Sequence, residues 1–181
     1  MRKPFTLSLS VILVLLLLNL AAWPAEITLN NIPVKVFFSP NGGCTDAIVK
    51  EIGAAKSEIL VQAYSFTSAP IAKALVDAHK RGVKVEAILD KSQRSEKYSS
   101  ATFLANSKIP TFIDARHAIA HNKIMIIDSS TVITGSFNFT KAAEEKNAEN
   151  LIIIKSRELA GIYIDNWNKH RQHSDPYAAR Y

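Results

Sequence analysis

His121-Asn122-Lys123-Ile124-Met125-Ile126-Ile127-Asp128, followed closely by Thr131-Val132-Ile133-Thr134-Gly135-Ser136-Phe137-Asn138, is the stretch from which the rest of this chain can be read. The apolar run Ile124 to Ile127 and the segment Thr131 to Thr134 predict two short strands with Ser129-Ser130 between them. With those two serines as the whole turn, antiparallel pairing sets Asp128 opposite Thr131, Lys123 opposite Ser136 and His121 opposite Asn138. Opposed residues on such a pair point to one face, with Cβ atoms roughly 5 Å apart. An imidazole, an ammonium group, a hydroxyl and an amide would then share one end of a sheet. His121 and Lys123, two apart, lie on one face; Asp128, an odd step from Lys123, points to the other and is expected to brace the hairpin more than to touch a ligand.

Outward from the hairpin, short apolar runs alternate with amphipathic segments. Val34 to Phe38 predicts a strand, Asn41-Gly42-Gly43 a turn, and Thr45 the cap of a helix with Ile48, Ile52 and Ala55 on one face. Glu58 to Phe66 is strand-like. Ser68 with Pro70 opens a helix striped by Ile71, Leu75 and Ala78 and ended by Gly82. Val83 to Asp90 and Thr111 to Asp114 predict strands, separated by a polar stretch with a short helix around Phe103 and Leu104. Beyond the hairpin, Thr140 to Ala148 predicts a short helix and Leu151 to Ile154 an apolar strand. Ser156 caps a last helix with Leu159, Ile162, Tyr163 and Trp167 inward. A βαβαβ opening followed by a hairpin implies an α/β fold: a mixed β-sheet flanked on both faces by helices, one domain per chain.

Of 181 residues, the first 22 read as an export signal: Arg2 and Lys3, an apolar run from Leu7 to Leu20, then Ala21 and Ala22. Residues 23–181 are then the mature domain, periplasmic or secreted, with no stable membrane association after cleavage. The whole chain carries 22 basic and 16 acidic residues; without Arg2 and Lys3 the balance is +4, which steers polyanions weakly and does not by itself indicate nucleic acid. Cys44 is the one cysteine, so no intrachain disulfide forms, and the domain must hold itself by packing or against a second copy.

His121-x-Lys123-x4-Asp128-x6-Gly135-Ser136-x-Asn138 resembles the HKD motif of the phospholipase D superfamily. Six positions at ordinary residue usage make a chance match about 10⁻⁸ per starting position. Tyr64-Ser-Phe-Thr-Ser68, Arg81-Gly-Val-Lys-Val85 and Gly135 to Glu144 are similar to the single-motif bacterial EDTA-resistant endonucleases of that superfamily, and the likeness covers about residues 30–175. It implies a homodimer with one active site at its twofold axis, and phosphodiester cleavage through a phosphohistidine with no cofactor and no metal. It also implies a carboxylate after the Asn as hydrogen-bond acceptor for the histidine; Glu149 stands there. Glu144 and Glu145 are the alternatives, expected to be solvated.

The chemistry agrees with that implication. In-line displacement at phosphorus needs a nucleophile on one side and an acid at the leaving oxygen on the other. This chain has one HKD histidine, and a C2 dimer supplies two copies of His121. Lys123 and Asn138, with Ser136 as a further donor, would hold the non-bridging oxygens by fixed charge and hydrogen bonds. The catalytic set is therefore His121, Lys123, Asp128 and Glu149; the phosphate-binding set is Lys123, Ser136 and Asn138.

His117, His121 and Asp114 superficially resemble a metal set, but positions 117 and 121 share a face only on a helix, and Lys123 beside them would repel a cation. His170 and His173 are expected to be exposed. Arg116 is a candidate phosphate contact, and the basic residues from Lys91 to Lys108 line a groove for DNA or form a solvated loop. The expected substrate is DNA, with RNA a further candidate, cut with little sequence preference, because no zinc finger or helix-turn-helix is present to read base edges. The alternatives are a phospholipase D or phosphatidyl transferase acting on lipid phosphodiesters, and a non-catalytic nucleic-acid-binding module.

Overall fold

The computed structural model describes residues 26–179; the export segment and the cleavage point lie outside them. A single sheet of eight strands runs in the order β1-β7-β6-β5-β2-β3-β4-β8. Its strands are β1 (Val34–Ser39), β2 (Glu58–Ala63), β3 (Lys84–Asp90), β4 (Thr111–Asp114), β5 (Lys123–Ile127), β6 (Thr131–Gly135), β7 (Glu149–Ile154) and β8 (Asp175–Pro176). β2, β3 and β4 are parallel to one another, and the remaining neighbours pair antiparallel. The helices are α1 (Cys44–Ala54), α2 (Ala69–Lys80), α3 (Ala101–Asn106), α4 (Lys141–Glu145) and α5 (Arg157–His173).

Alternation along β2 explains the two layers. Ile59, Val61 and Ala63 join Ile48, Ile52, Ile71 and Leu75 of α1 and α2 in the larger core, whereas Leu60 joins Ile88, Phe112, Ile126 and Val132 under Ala160 and Trp167 of α5. The fold is the mixed, doubly covered sheet that the element order implies. Ser156 caps α5 through Leu159 N, as its position before the apolar stripe predicts. Along that helix Ile162 is half-buried and Ile164 packs on the sheet in its place. α5 packs over β2, β4, β5 and β6. On the same side of the sheet, Val34, Val36 and Phe38 of edge strand β1 remain 45%, 51% and 67% exposed.

The hairpin register differs from the expected one by a residue. Ile127 pairs with Thr131, Ile126 with Val132 and Met125 with Ile133, so the loop is Asp128-Ser129-Ser130. The oppositions Asp128–Thr131, Lys123–Ser136 and His121–Asn138 therefore do not form. Asp128 and Ser129 both turn into the left-handed region, at φ 51° and 49°. The cause lies outside the hairpin: the Asp128 carboxylate takes N–H bonds from Lys56, Ser57 and Glu58, which draws it out of the strand and lengthens the turn.

Two further corrections concern α1. The helix begins at Cys44, and Thr45 lies inside it. Its first amides are met by Glu144, whose carboxylate accepts from Gly43 N at 3.0 Å and Thr45 N at 2.7 Å. Glu144 is thus a cap supplied from α4, about a hundred residues away, and not a solvated side chain. Cys44 is buried at this junction. Burial, and secondarily the Glu144 charge, push its thiol up to about 11, which leaves it an inert packing group.

Candidate active site

The motif side chains gather at the end of the sheet where the parallel strands finish and β5 begins, the usual place for a ligand on such sheets. Ala63, the last residue of β2, pairs with Lys123, the first of β5, and Tyr64 N donates to Asn122 O at 2.7 Å. These pairings bring the Tyr64 ring against His121, with centroids 4.6 Å apart. The Lys123 ammonium lies 5.0 Å from the Tyr64 ring centre and donates to the His121 carbonyl at 3.1 Å. Lys123 is 7% exposed. Burial lowers its pKa from the ordinary lysine value, and the Glu149 carboxylate partly opposes that drop. His121 itself is exposed at the edge of this arrangement, and among the described residues its ring holds no hydrogen bond.

Gly135 shapes the opposite wall. Its φ is +142°, and a Cβ there would stand 2.3 Å from Asn150 O, so the backbone approach of β6 to β7 requires glycine. Beyond it, Ser136 N and Phe137 N both donate to Asn150 O, each at 3.1 Å. The Ser136 hydroxyl oxygen accepts from Asn150 N at 3.0 Å and Asn150 Nδ2 at 3.3 Å. Ser136 thus spends its acceptor on tying β6 to β7, while its O–H proton remains available to a ligand. Phe137 and Phe139 are fully buried on either side of Asn138. The Asn138 Oδ1 is buried without a protein partner, and it is the Nδ2–H donors of the same amide that suit the oxygens of an anion.

Glu149 opens β7 at this same end, with its N–H on Ser39 Oγ at 3.2 Å and its carboxylate accepting from Asn147 Nδ2 at 3.1 Å. It is a charge partner of Lys123; within the chain it makes no bond to His121. Asp128 lies across the sheet, past the far end of β5. Burial opposes ionisation there, but the amides of Ser57 and Lys56, the Ser57 hydroxyl and the Glu58 amide outweigh it and hold the carboxyl below the usual range. The structure therefore brings together His121, Lys123, Ser136, Asn138 and Glu149 and leaves Asp128 to join the hairpin turn to the start of β2.

Two contributors escape sequence reading. Tyr64 reads there as one more strand aromatic, yet it touches both His121 and Lys123. Asp90, at the end of β3, accepts Ser92 N at 2.9 Å on one oxygen and Ala120 N at 2.7 Å on the other, which anchors the loop that delivers His121. A carboxylate at the end of a parallel strand was the available signal; its partner thirty residues on was not. The basic residues are distributed around this end: Lys91 donates to the His117 carbonyl at 3.1 Å, Arg94 pairs with Asp175 at 3.0 Å, and Arg116 is exposed. A separate cleft of about 800 Å³, lined by Thr67, Lys73, Tyr98 and Phe103 among others, contains none of the motif side chains.

The reading of His170 and His173 as exposed is overturned. α5 returns to the end of β4, where both rings meet Asp114 together with His117, their side chains 15% and 20% exposed. His117 groups with them and not with His121. Periodicity along α5 could not reveal this, because the common partner belongs to another strand.

An exposed imidazole, a desolvated ammonium and an unpartnered amide can together bind a tetrahedral anion and attack its centre. Comparisons with known proteins bear on that chemistry. Residues 48–171 match the family model described as cardiolipin synthase, PLD-like domain. A phospholipase D of Rickettsia felis is 49% identical over 134 residues, which are 74% of this chain and 67% of that protein. The crystal structure of Nuc from Salmonella typhimurium, a phospholipase D family member, superposes with a TM-score of 0.78 at 40% identity, covering 81% of this chain and 98% of Nuc. NucT from Helicobacter pylori shares the fold, with a TM-score of 0.73 at 24% identity over 81% of this chain and 99% of NucT.

Proposed function

This chain belongs to the phospholipase D superfamily and is one of its phosphodiesterases, and on that footing we propose that it is an exported, metal-independent endonuclease that cuts DNA, and RNA as a further substrate, at a site shared by two copies. The observation that carries this reading is the pairing of one exposed His121 with one buried Lys123 in a chain that holds a single copy of the motif. In-line transfer needs two proton-handling groups, so half of the machinery must come from elsewhere. The apolar stripe Val34, Val36 and Phe38 lies beside β7, whose first residue is Glu149, and offers a face for a second copy. The similarity to Nuc over almost its whole length supports a nuclease, as do the cations Lys91 and Arg116 at this end of the sheet.

In this mechanism the neutral His121 of one copy attacks phosphorus, forming the N–P bond as the ester P–O bond breaks. Its counterpart in the second copy, protonated, gives its proton to the departing oxygen. Two Lys123 ammonium groups and two Asn138 amides hold the non-bridging oxygens. Water then attacks the phosphohistidine, the second imidazole takes the water's proton, and the first histidine is released.

A lipid phosphodiesterase is the second reading, favoured by relatives named phospholipase D and by Ile119, 59% exposed on the loop before His121. Chelator-treated protein offered duplex DNA, single-stranded DNA, RNA and phosphatidylcholine vesicles decides between them. Cleavage of nucleic acid with the vesicles untouched is expected; the reverse would replace the nuclease. Mixing active chains with His121→Ala chains should give heterodimers of far lower activity, and full activity per active chain would rule out a shared site.

A further inference from the structure

A second cluster of chemistry-bearing side chains lies outside the phosphoryl-transfer machinery. Asp114 ends β4, His117 follows three residues later, and His170 and His173 stand one turn apart at the end of α5. One oxygen of Asp114, Oδ2, lies 2.7 Å from His170 Nδ1, 2.8 Å from His117 Nδ1 and 3.3 Å from His173 Nε2. The four nearest donor atoms all fall within 4.8 Å of one another. The other Asp114 oxygen accepts the amides of Arg116 and His117, at 3.1 and 3.4 Å, which aims Oδ2 at the rings. Asp114 is wholly buried.

Protons alone account poorly for this arrangement. One carboxylate oxygen offers two lone pairs, and here three ring nitrogens converge on it. The ring centroids are 4.8, 5.2 and 5.4 Å apart, too close for three imidazolium charges beside a single carboxylate. Neighbouring cations do not fill the space: Lys91 is on the His117 carbonyl, Arg94 on Asp175, and Arg171 stacks 3.3 Å over the Phe112 ring. A tetrahedral ion with three nitrogen and one oxygen donors has legs of about 2.0–2.2 Å, hence edges of roughly 3.3–3.5 Å. His173 Nε2, 3.3 Å from Oδ2, already stands at that edge, and His170 and His117, at 2.7 and 2.8 Å, reach it by moving outward roughly half an ångström. Asp114 and His117 come from the end of β4 and the loop that follows it, and His170 and His173 from the last turn of α5, so one ion would join two remote segments.

We propose that Asp114, His117, His170 and His173 bind a divalent transition metal, with zinc the ion that this donor set fits, and that the ion fastens α5 to the end of β4. Four protein donors close the coordination sphere, so the site is structural and no water is activated there. It lies at the root of the loop that carries His121; its ion adds to thermal stability, and phosphoryl transfer by His121 and Lys123 proceeds at room temperature without it.

The full chain, stripped with chelator and dialysed, is titrated with zinc by calorimetry and with cobalt by visible absorption. One zinc per chain at micromolar or lower dissociation constant is expected, with the intense visible bands of tetrahedral cobalt and a melting temperature that rises on zinc addition. His170→Ala and His173→Ala should lose the equivalent, and His121→Ala should keep it. Should a helix variant unfold, His117→Ala, on an exposed loop, tests the same point with circular dichroism as the control for folding. Absence of stoichiometric zinc binding, or equal binding by the folded cluster variants, overturns the proposal. Loss of the ion in His121→Ala overturns it as well, since the metal would then sit at the phosphoryl site.

Discussion

Replacing Asp128 with asparagine separates bracing from chemistry more cleanly than any other change. The carboxylate takes bonds from Lys56 N at 2.9 Å, Ser57 N at 2.7 Å, Ser57 Oγ at 2.9 Å and Glu58 N at 3.1 Å. Asparagine keeps one carbonyl oxygen for Ser57 and Glu58, but its NH2 would face the Lys56 amide, and the charge is gone. Hydrogen bonds to a charged group contribute about 1.5–3 kcal/mol, and partial solvation of this turn favours the lower part, about 2 kcal/mol. For a domain of this size that lowers the melting temperature by about 4–8 °C. The effect on rate should be small. The five residues of β5 span about 16 Å between Lys123 and Asp128. A unit charge at that distance acts with about 0.3 kcal/mol in water, less than a twofold change in rate, and salt reduces it further. The assay is a calorimetric melt together with turnover of a simple phosphodiester at room temperature. The Asp128 pKa is depressed in the fold, so its stabilisation is present above the unfolded value near pH 3.9 and is lost as pH falls through the folded one. The gap between wild type and variant should therefore hold at neutral pH and close below about pH 4. A folded variant melting like wild type but turning over roughly 100-fold more slowly would refute the reasoning and put Asp128 in the reaction.

Three other substitutions test the remaining parts. Lys123→Met retains the volume of a buried side chain but removes the cation, so kcat should drop by about 10²–10³ with the melt little changed; an active variant would remove Lys123 from the site. Gly135→Ala would place a methyl 2.3 Å from Asn150 O at a φ of +142°, and a loss of about 3 kcal/mol or more is expected in urea unfolding. Near-native stability there would show that β6 and β7 can move apart. Glu144→Ala leaves the first amides of α1 without their carboxylate and should cost about 1 kcal/mol by the same measurement, with no loss to be seen if the residue were merely solvated.

Much of the site is legible in the chain because its parts are close in sequence. His121, Lys123, Gly135, Ser136 and Asn138 fall within eighteen residues, and their spacing alone announces both the hairpin and its chemistry. Apolar periodicity likewise places β1 to β7 and the longer helices, since each strand or helix must show its own core face regardless of its partners. The hairpin register was not legible in this way. Its loop length depends on amides at Lys56, Ser57 and Glu58, about seventy residues from Asp128.

What the linear order by itself determined is the layered α/β plan and the motif that marks the candidate site, because both rest on local pattern and residue type. Tertiary structure decided which distant groups complete them. It set Tyr64 against both His121 and Lys123, made Glu144 the cap of a helix that lies far away in sequence, and drew His117, His170 and His173 onto Asp114. Hydrogen bonds and charges act over a few ångströms of space, and periodicity along a segment carries no record of which remote segment will lie across from it.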